Sequence, residues 1–255
     1  MNNAIVRIPG HNLGDGLTTA DLGKPVHAIA LQQHRAYCEA LERCGLRVMT
    51  LDCDLQHPDS AFVDDTAVLT GHAAVLTRPG AMSRQGEVAG IRKPLEDFFS
   101  RFYEIKAPGT LEGGDICEAG NHFFIGISRR TNEEGARQLA VFLAQEGYTS
   151  SFIDIRSRTD ILHLKSGISY IGDNHMVIMQ AMAGLEPFRK YELMTVAPQE
   201  SYAANCARIN DYTLLPAGFH GLESSLKTRG FKPYPLSMSE FQKMDGGLSC
   251  LSLRF

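Results

Sequence analysis

Leu31, His34, Cys38 and Leu41 follow one another at three or four residues, the period of a single helix face, and Gly45 suits a left-handed cap. The spacing predicts a helix over Ala28 to Cys44. The same period through Val88, Ile91, Leu95, Phe98 and Phe102 predicts a second helix from Arg84 to Phe102, which Pro94 should kink or restart. Thr131-Asn132-Glu133-Glu134 has the form of a capping box, the threonine oxygen taking the N3 amide and Glu134 reaching back. Ala136, Leu139, Ala140 and Leu143 continue that helix, and Gly147 stops it. A shorter helix is predicted from Leu222 to Thr228, closed by Gly230.

Between these helices the pattern changes to short runs of branched and aromatic residues. Ala4–Ile8, Leu46–Leu51, Ala73–Arg78, Phe123–Ile127, Phe152–Ile155, Ile168–Ile171, Met176–Met179 and Tyr212–Leu215 are predicted strands, with turns such as Gly120-Asn121 and Gly172-Asp173-Asn174 between neighbours. Several strands separate each helix from the next, which excludes a plain βαβα alternation and suggests an α+β repeat. Short polar motifs also recur: Asp15-Gly16-Leu17, Asp64-Asp65, Gly113-Gly114-Asp115, His163, Asn205-Cys206 and Gly246-Gly247. Their spacing, roughly 40–50 residues, is that of a propeller-like array. Such an array aims strand ends at a common axis and predicts one central site. No Pro-, Gly- or Ser-rich linker interrupts residues 1–255, so one domain is expected.

Composition narrows the classes. A net charge of −4 with no basic run leaves nucleic acid without an electrostatic footprint. No apolar run approaches the ~18 residues of a membrane span, and the start has neither a signal-peptide pattern nor a myristoylation glycine. The six cysteines form no CxxC pair, so reduced thiols in a cytoplasmic protein are expected. No H-E-x-x-H, P-loop, G-x-G-x-x-G or G-x-S-x-G is present, which points to chemistry without a metal or cofactor.

Chemistry must then come from ordinary side chains near turn residues. Cys250 follows Asp245-Gly246-Gly247-Leu248-Ser249, a setting compatible with an exposed nucleophile. Taken singly, His163 also reads as a core or surface histidine, Asp64-Asp65 as a solvated turn, and Arg84 and Arg130 as surface arginines.

Together the segments resemble the dimethylarginine dimethylaminohydrolases, members of the guanidine-modifying (pentein) superfamily. The resemblance runs through Asp15-Gly16-Leu17-Thr18, Phe62-Val63-Asp64-Asp65, Thr77-Arg78-Pro79-Gly80, Glu112-Gly113-Gly114-Asp115-Ile116, Arg130-Thr131-Asn132, Leu162-His163-Leu164-Lys165, Glu200-Ser201-Tyr202-Ala203-Ala204-Asn205-Cys206 and the closing Asp245-Gly246-Gly247-Leu248-Ser249-Cys250 with Ser252-Leu253-Arg254-Phe255. It implies a five-bladed α/β propeller of pseudo-fivefold ββαβ-type repeats around a central active site. It also implies hydrolysis of Nω-methylated L-arginine to L-citrulline and an alkylamine, with a homodimer possible. Carried over residue by residue, it assigns Cys250 the attack on the guanidino carbon, His163 general acid and then base, and Asp65 and Glu112 the hold on the guanidinium. Asp64 stands where relatives often carry glutamate. Arg84 and Arg130 match the α-carboxylate clamp, with Arg129 a possible one-residue slip. Asp59 and the carbonyls of Leu17 and Met244 match the α-amino contacts, and Leu17 suggests a flap. A Cys250–His163 pair could also chelate inhibitory zinc. The alternatives are an arginine deiminase-like or other guanidine chemistry on the same fold, and a non-catalytic propeller that binds a partner.

Overall fold

The computed structural model describes residues 1–255. Five three-stranded sheets make up the molecule. In the first, β1 (Asn3–Arg7) pairs in parallel with β2 (Arg47–Leu51), α1 (His27–Arg43) forming the crossover between them. The next four sheets each place a short first strand antiparallel to a middle strand, which pairs in parallel with a third. They are β3 (Ala67–Leu69), β4 (Ala74–Leu76) and β5 (Phe102–Glu104), with α2 (Ala89–Glu96) crossing from β4 to β5; then β6 (Ile116–Ala119), β7 (His122–Ile127) and β8 (Thr149–Asp154), with α3 (Glu133–Gln145). They continue with β9 (Ile168–Tyr170), β10 (His175–Met179) and β11 (Glu192–Val196), and β12 (Ala207–Ile209), β13 (Tyr212–Pro216) and β14 (Lys232–Leu236), with α4 (His220–Thr228). β15 (Leu253–Arg254) returns to lie antiparallel to β1, so the C-terminus supplies the first strand of the first blade and closes the ring. This is a five-bladed α/β propeller.

There is no single core. Five apolar clusters lie between neighbouring blades, for example Val75 of β4 with Phe123 and Ile125 of β7 and Leu139 of α3, or Phe124 of β7 with Ile168 and Ile178 of the following blade. Each blade buries a face only against the next, so the ring stabilises its members collectively.

Five 3-10 turns, Val63–Thr66, Gly113–Asp115, Leu164–Ser166, Pro198–Ala204 and Leu248–Leu251, each precede the first strand of a blade. Neighbouring turns pack together or are bonded through Asn205 and Ser249, forming a ring about the axis. Five of the recurring polar motifs fall on or beside these turns. Asp15-Gly16-Leu17 does not: its 3-10 turn, Leu13–Asp15, lies in the loop between β1 and α1.

The second predicted helix is corrected. Met82–Val88 is a 3-10 turn, α2 ends at Glu96, and Phe102 opens β5. Pro94 lies inside α2, and the Gly90 carbonyl that its missing N–H leaves free accepts from Arg7 Nη2 at 3.3 Å. The α3 cap is Asn132, whose side chain accepts from Gly135 N at 2.8 Å. Thr131, fully buried, instead accepts from the amide of Glu112 at 3.1 Å. A helix is also missing from the fourth blade, whose crossover carries Gly184 and Pro187 and makes two 3-10 turns.

Candidate active site

One small pocket on the axis is lined by Leu17, Asp59, Phe62, Asp65, Arg84, Glu112, Arg130, Leu162, His163, Met244, Asp245, Gly246 and Cys250. It gathers every candidate named from the sequence except Asp64. The Asp64 carboxylate turns to Lys165, with Oδ2 2.5 Å from Nζ, and lines a separate cavity with Glu118, Arg208 and Arg254. With one methylene less than glutamate and an ammonium beside it, this carboxylate is engaged outside the pocket.

The turns explain why these side chains converge. Glu112 precedes the Gly113–Asp115 turn and His163 the Leu164–Ser166 turn, so neighbouring blades present them side by side, His163 Nε2 2.7 Å from Glu112 Oε2. Gly114 permits this approach, because a Cβ there would lie 2.7 Å from His163 Nδ1 and 2.8 Å from Asp65 Oδ1. Asp115, missed from the sequence as a functional residue, points back into the core. It accepts from Leu164 N at 3.0 Å and Ser128 Oγ at 2.6 Å, fixing the turn that His163 precedes.

Charge is concentrated here on buried side chains: Asp65, Arg84, Glu112 and His163. Burial alone raises the Asp65 carboxyl, but the charges of His163 and Arg84, with bonds from Arg84 Nη1 (2.5 Å) and Gly114 N (2.7 Å), bring it down to about 2. Burial likewise opposes charge on His163, yet Asp65, the bond to Glu112 and the charges of Asp115 and Glu112 raise it to about 9. Glu112 is lowered: burial works against its ionisation, and the His163 bond and charge outweigh that. Its Oε1 also accepts from Ala81 N at 3.3 Å and lies 3.6 Å from Arg130 Nη1.

Cys250 sits in the last turn before β15. Its thiol is pushed up to about 11, first by burial and then by Asp65 and Asp64, against the Gly247 amide at 3.4 Å and Lys165. Asn205 clamps this turn, accepting from Ser249 N at 3.0 Å and donating to Ser249 Oγ at 2.9 Å and Lys165 O at 3.1 Å. The Asn205-Cys206 repeat motif carried that signal without assigning it a task.

At the mouth, both oxygens of Asp59 accept from Leu17 N, at 3.0 and 3.2 Å. A Cβ at Gly16 would come within 2.4 Å of Asp59 Oδ1, so the loop approaches because residue 16 is glycine. The following residues are strapped down by Asp245, whose Oδ2 accepts from Thr19 N at 2.6 Å and Thr19 Oγ1 at 3.0 Å. Of the adjacent arginines, Arg130 lines the pocket, whereas Arg129 lines a neighbouring cavity. Arg84 is less available than a substrate clamp requires, being buried among Asp65, Glu87 and two carbonyls. Asp65, Glu112 and His163 bring potential ligand atoms within 4.8 Å of one another, so they are also the grouping best able to hold a cation.

A propeller whose axis carries a cysteine, a histidine–glutamate pair and a buried aspartate defines the class as guanidine-modifying propeller enzymes. The family model described as arginine deiminase matches residues 56–212. A dimethylarginine dimethylaminohydrolase of Pseudomonas aeruginosa is 40% identical over 256 residues, covering 100% of each chain. Another of that name from Streptomyces coelicolor is 31% identical, covering 98% of this chain and 96% of its own. The chain belongs to the dimethylarginine dimethylaminohydrolase family and is a hydrolase. A solved cysteine-to-serine mutant of the Pseudomonas enzyme, in complex with citrulline, superposes with a TM-score of 0.97 at 39% identity, covering 100% of this chain and 99% of the other. The N-terminal domain of the cyanobacterial arginine dihydrolase ArgZ shares the fold alone, with a TM-score of 0.87 at 19% identity over 99% of this chain and 96% of that one.

Proposed function

We propose that the protein hydrolyses Nω-methylated L-arginine to L-citrulline and methylamine or dimethylamine, as a single catalytic domain with Cys250 as nucleophile. The observation that carries this reading is the shared pocket of Cys250, the His163–Glu112 pair and Asp65. Three acidic side chains that line it (Asp59, Asp65 and Glu112) suit a cation, and Arg130 suits the opposite end of an amino acid.

The chemistry follows from the charges. A guanidinium placed against Cys250 favours the thiolate, so binding releases the thiol proton to solvent. Sulfur then bonds to the guanidino carbon, giving a tetrahedral adduct. His163, held protonated by its acidic neighbours, passes a proton to the substituted nitrogen, and the C–N bond breaks with the alkylamine leaving neutral. The covalent thiouronium-type intermediate remains. Neutral His163 now takes a proton from water, the hydroxide adds to the same carbon, and the C–S bond breaks as the adduct's hydroxyl proton is lost to solvent, giving citrulline and the thiolate.

Substrate must enter past the Leu17 loop, since the pocket as closed holds only about 20 Å³ of free space, room for about one water. That supports a mobile flap whose closure keeps bulk water from the adduct. No helix is long and apolar enough to cross a membrane; with the cysteine pattern this supports a cytoplasmic setting. A homodimer is the assembly carried over from the family resemblance.

The test is one panel over monomethyl-arginine, dimethyl-arginine, arginine and agmatine, read by citrulline and amine release, repeated with Cys250→Ser. Methylated arginines are expected to have the highest kcat/KM and the variant to form no citrulline. A higher kcat/KM for arginine with ammonia release would make the protein a deiminase, and a Cys250→Ser protein that still turns over would remove Cys250 as nucleophile.

A further inference from the structure

Glu87 belongs to none of the roles above, yet it is buried and faces the candidate active site through one neighbour. Its two carboxylate oxygens take both edges of the Arg84 fork, Oε1 from Nε at 3.0 Å and Oε2 from Nη2 at 2.8 Å. Arg84 Nη2 also reaches the carbonyls of Phe62 and Asp59, at 3.2 and 3.3 Å, and Nη1 donates to Asp65 Oδ2. A guanidinium has five N–H donors, and these partners leave only the second hydrogen of Nη1 for a ligand.

A fixed guanidinium inside a pocket that must bind a second guanidinium is a problem of charge. Asp65 alone against Arg84 would form a neutral pair, with no net charge of its own to attract a cation. Glu87 changes the sum: Asp65, Arg84 and Glu87 together carry one net negative charge, and the spare charge is on the Asp65 side, facing the pocket. The turn that carries Arg84 and Glu87 is itself wedged in place. Gly86 lies so close to His57 that a Cβ there would come within 2.3 Å of Nε2, and His57 Nδ1 is held by Asp54 at 2.7 Å.

We propose that Glu87 is a positioning residue that neutralises and orients Arg84, leaving the charge of Asp65 free for the cationic guanidinium of the substrate. It does not touch the reacting atoms. Its influence is greatest on cationic ligands and small on a neutral one. This inference rests on the proposed methylarginine reaction, whose substrate is a guanidinium and whose product, citrulline, is an uncharged urea.

The experiment measures binding without turnover, in the Cys250→Ser protein, with and without Glu87→Gln. Affinity for monomethyl-arginine is expected to fall about tenfold or more, the effect of one charge in a poorly screened pocket, while affinity for citrulline changes less than threefold. His163, followed by NMR, should titrate below the value of about 9 it has with the full acidic set. Glu87→Asp keeps the charge and should stay within threefold of the parent for both ligands, which also serves if Glu87→Gln does not fold. Equal losses for both ligands, unchanged affinities with only a lower Tm, or a tenfold loss in Glu87→Asp would each overturn the proposal. A parent protein with an intact Cys250 that binds methylarginine but makes no citrulline would count against the reaction alone.

Discussion

Cys250 at about 11 and His163 at about 9 stand in an order that decides how the unliganded protein behaves near neutral pH. Between pH 6 and 8 the pair is thiol and imidazolium, so the nucleophile is un-ionised until a cation arrives. Alkylation by iodoacetamide without substrate should therefore be slow at pH 7 and rise steeply toward pH 11; a thiol already half-ionised below pH 7 would contradict this. The same values make stability depend on pH. His163 has a folded value above its unfolded ~6.5, so its contribution is complete below pH 6.5 and is lost as pH rises through about 9. Asp65 has the opposite sign: held at about 2 against an unfolded ~3.9, it stabilises above pH 4, and that is lost as pH falls toward 2. Denaturant midpoints measured from pH 2 to 10 should show both flanks, and His163→Ala should remove most of the fall between pH 7 and 9. An alkaline flank unchanged in that variant would mean His163 is not held charged. At this scale the sequence was informative where several motifs acted together, as with Cys250, His163 and Glu112. It was silent on Glu87, and it marked Asp115 only as part of a recurring motif, because a side chain that holds others in place has no chemical signature of its own.

The elements show a similar division. Middle strands such as β7 and β13 were legible because they are buried almost throughout and read as apolar runs. The first strands β3, β6 and β12 have only three or four residues and give no periodicity to detect. β14 carries Pro233 and Pro235, which argue against a strand. It is tolerated as an edge strand because the two prolines are two residues apart, so both missing N–H groups fall on one side, away from β13. The turns that carry the site depend on glycine for contact. Gly114→Ala should displace His163 and Asp65 together, lowering kcat/KM by about 100-fold or more, the cost of roughly 1 Å of misplacement at a reacting group. Gly113→Ala should be worse for folding, since its Cβ would meet the Asp64 carbonyl oxygen at 1.9 Å, a backbone atom that cannot swing aside. Tm and kcat/KM of the two variants should separate accordingly; a Gly114→Ala protein of parental activity would mean that this close approach is not needed.

For the whole molecule the decisive contact is the one that closes the ring. Leu253 and Arg254 pair with Ile5 and Ala4, and Phe255 O accepts from Asn2 N and Asn3 N at 2.8 Å each. Leu253 is buried in the cluster formed by β1, β3, β4 and α2, and Phe255 packs on Phe98 and Phe99 with ring centroids 4.9 and 5.0 Å apart. Only two residues separate Cys250 from β15, so the strand that joins the first blade also anchors the nucleophile's turn. Tyr37 of α1 reinforces it, its hydroxyl donating to Leu248 O at 2.9 Å and bonding Ser252 Oγ at 2.6 Å. Deleting residues 253–255 removes a buried leucine, worth about 2–5 kcal/mol, together with the ladder and two aromatic contacts. Set against a net stability of about 5–15 kcal/mol for a domain, the truncated chain should have a Tm at least 10 °C lower and no citrulline-forming activity. Phe255→Ala, which keeps the strand and loses only the ring contacts, should retain activity and lose part of the Tm. If the truncated protein melted within a few degrees of the parent, the blades would be stable without closure, and the dependence of Cys250 on the ring would have to be abandoned.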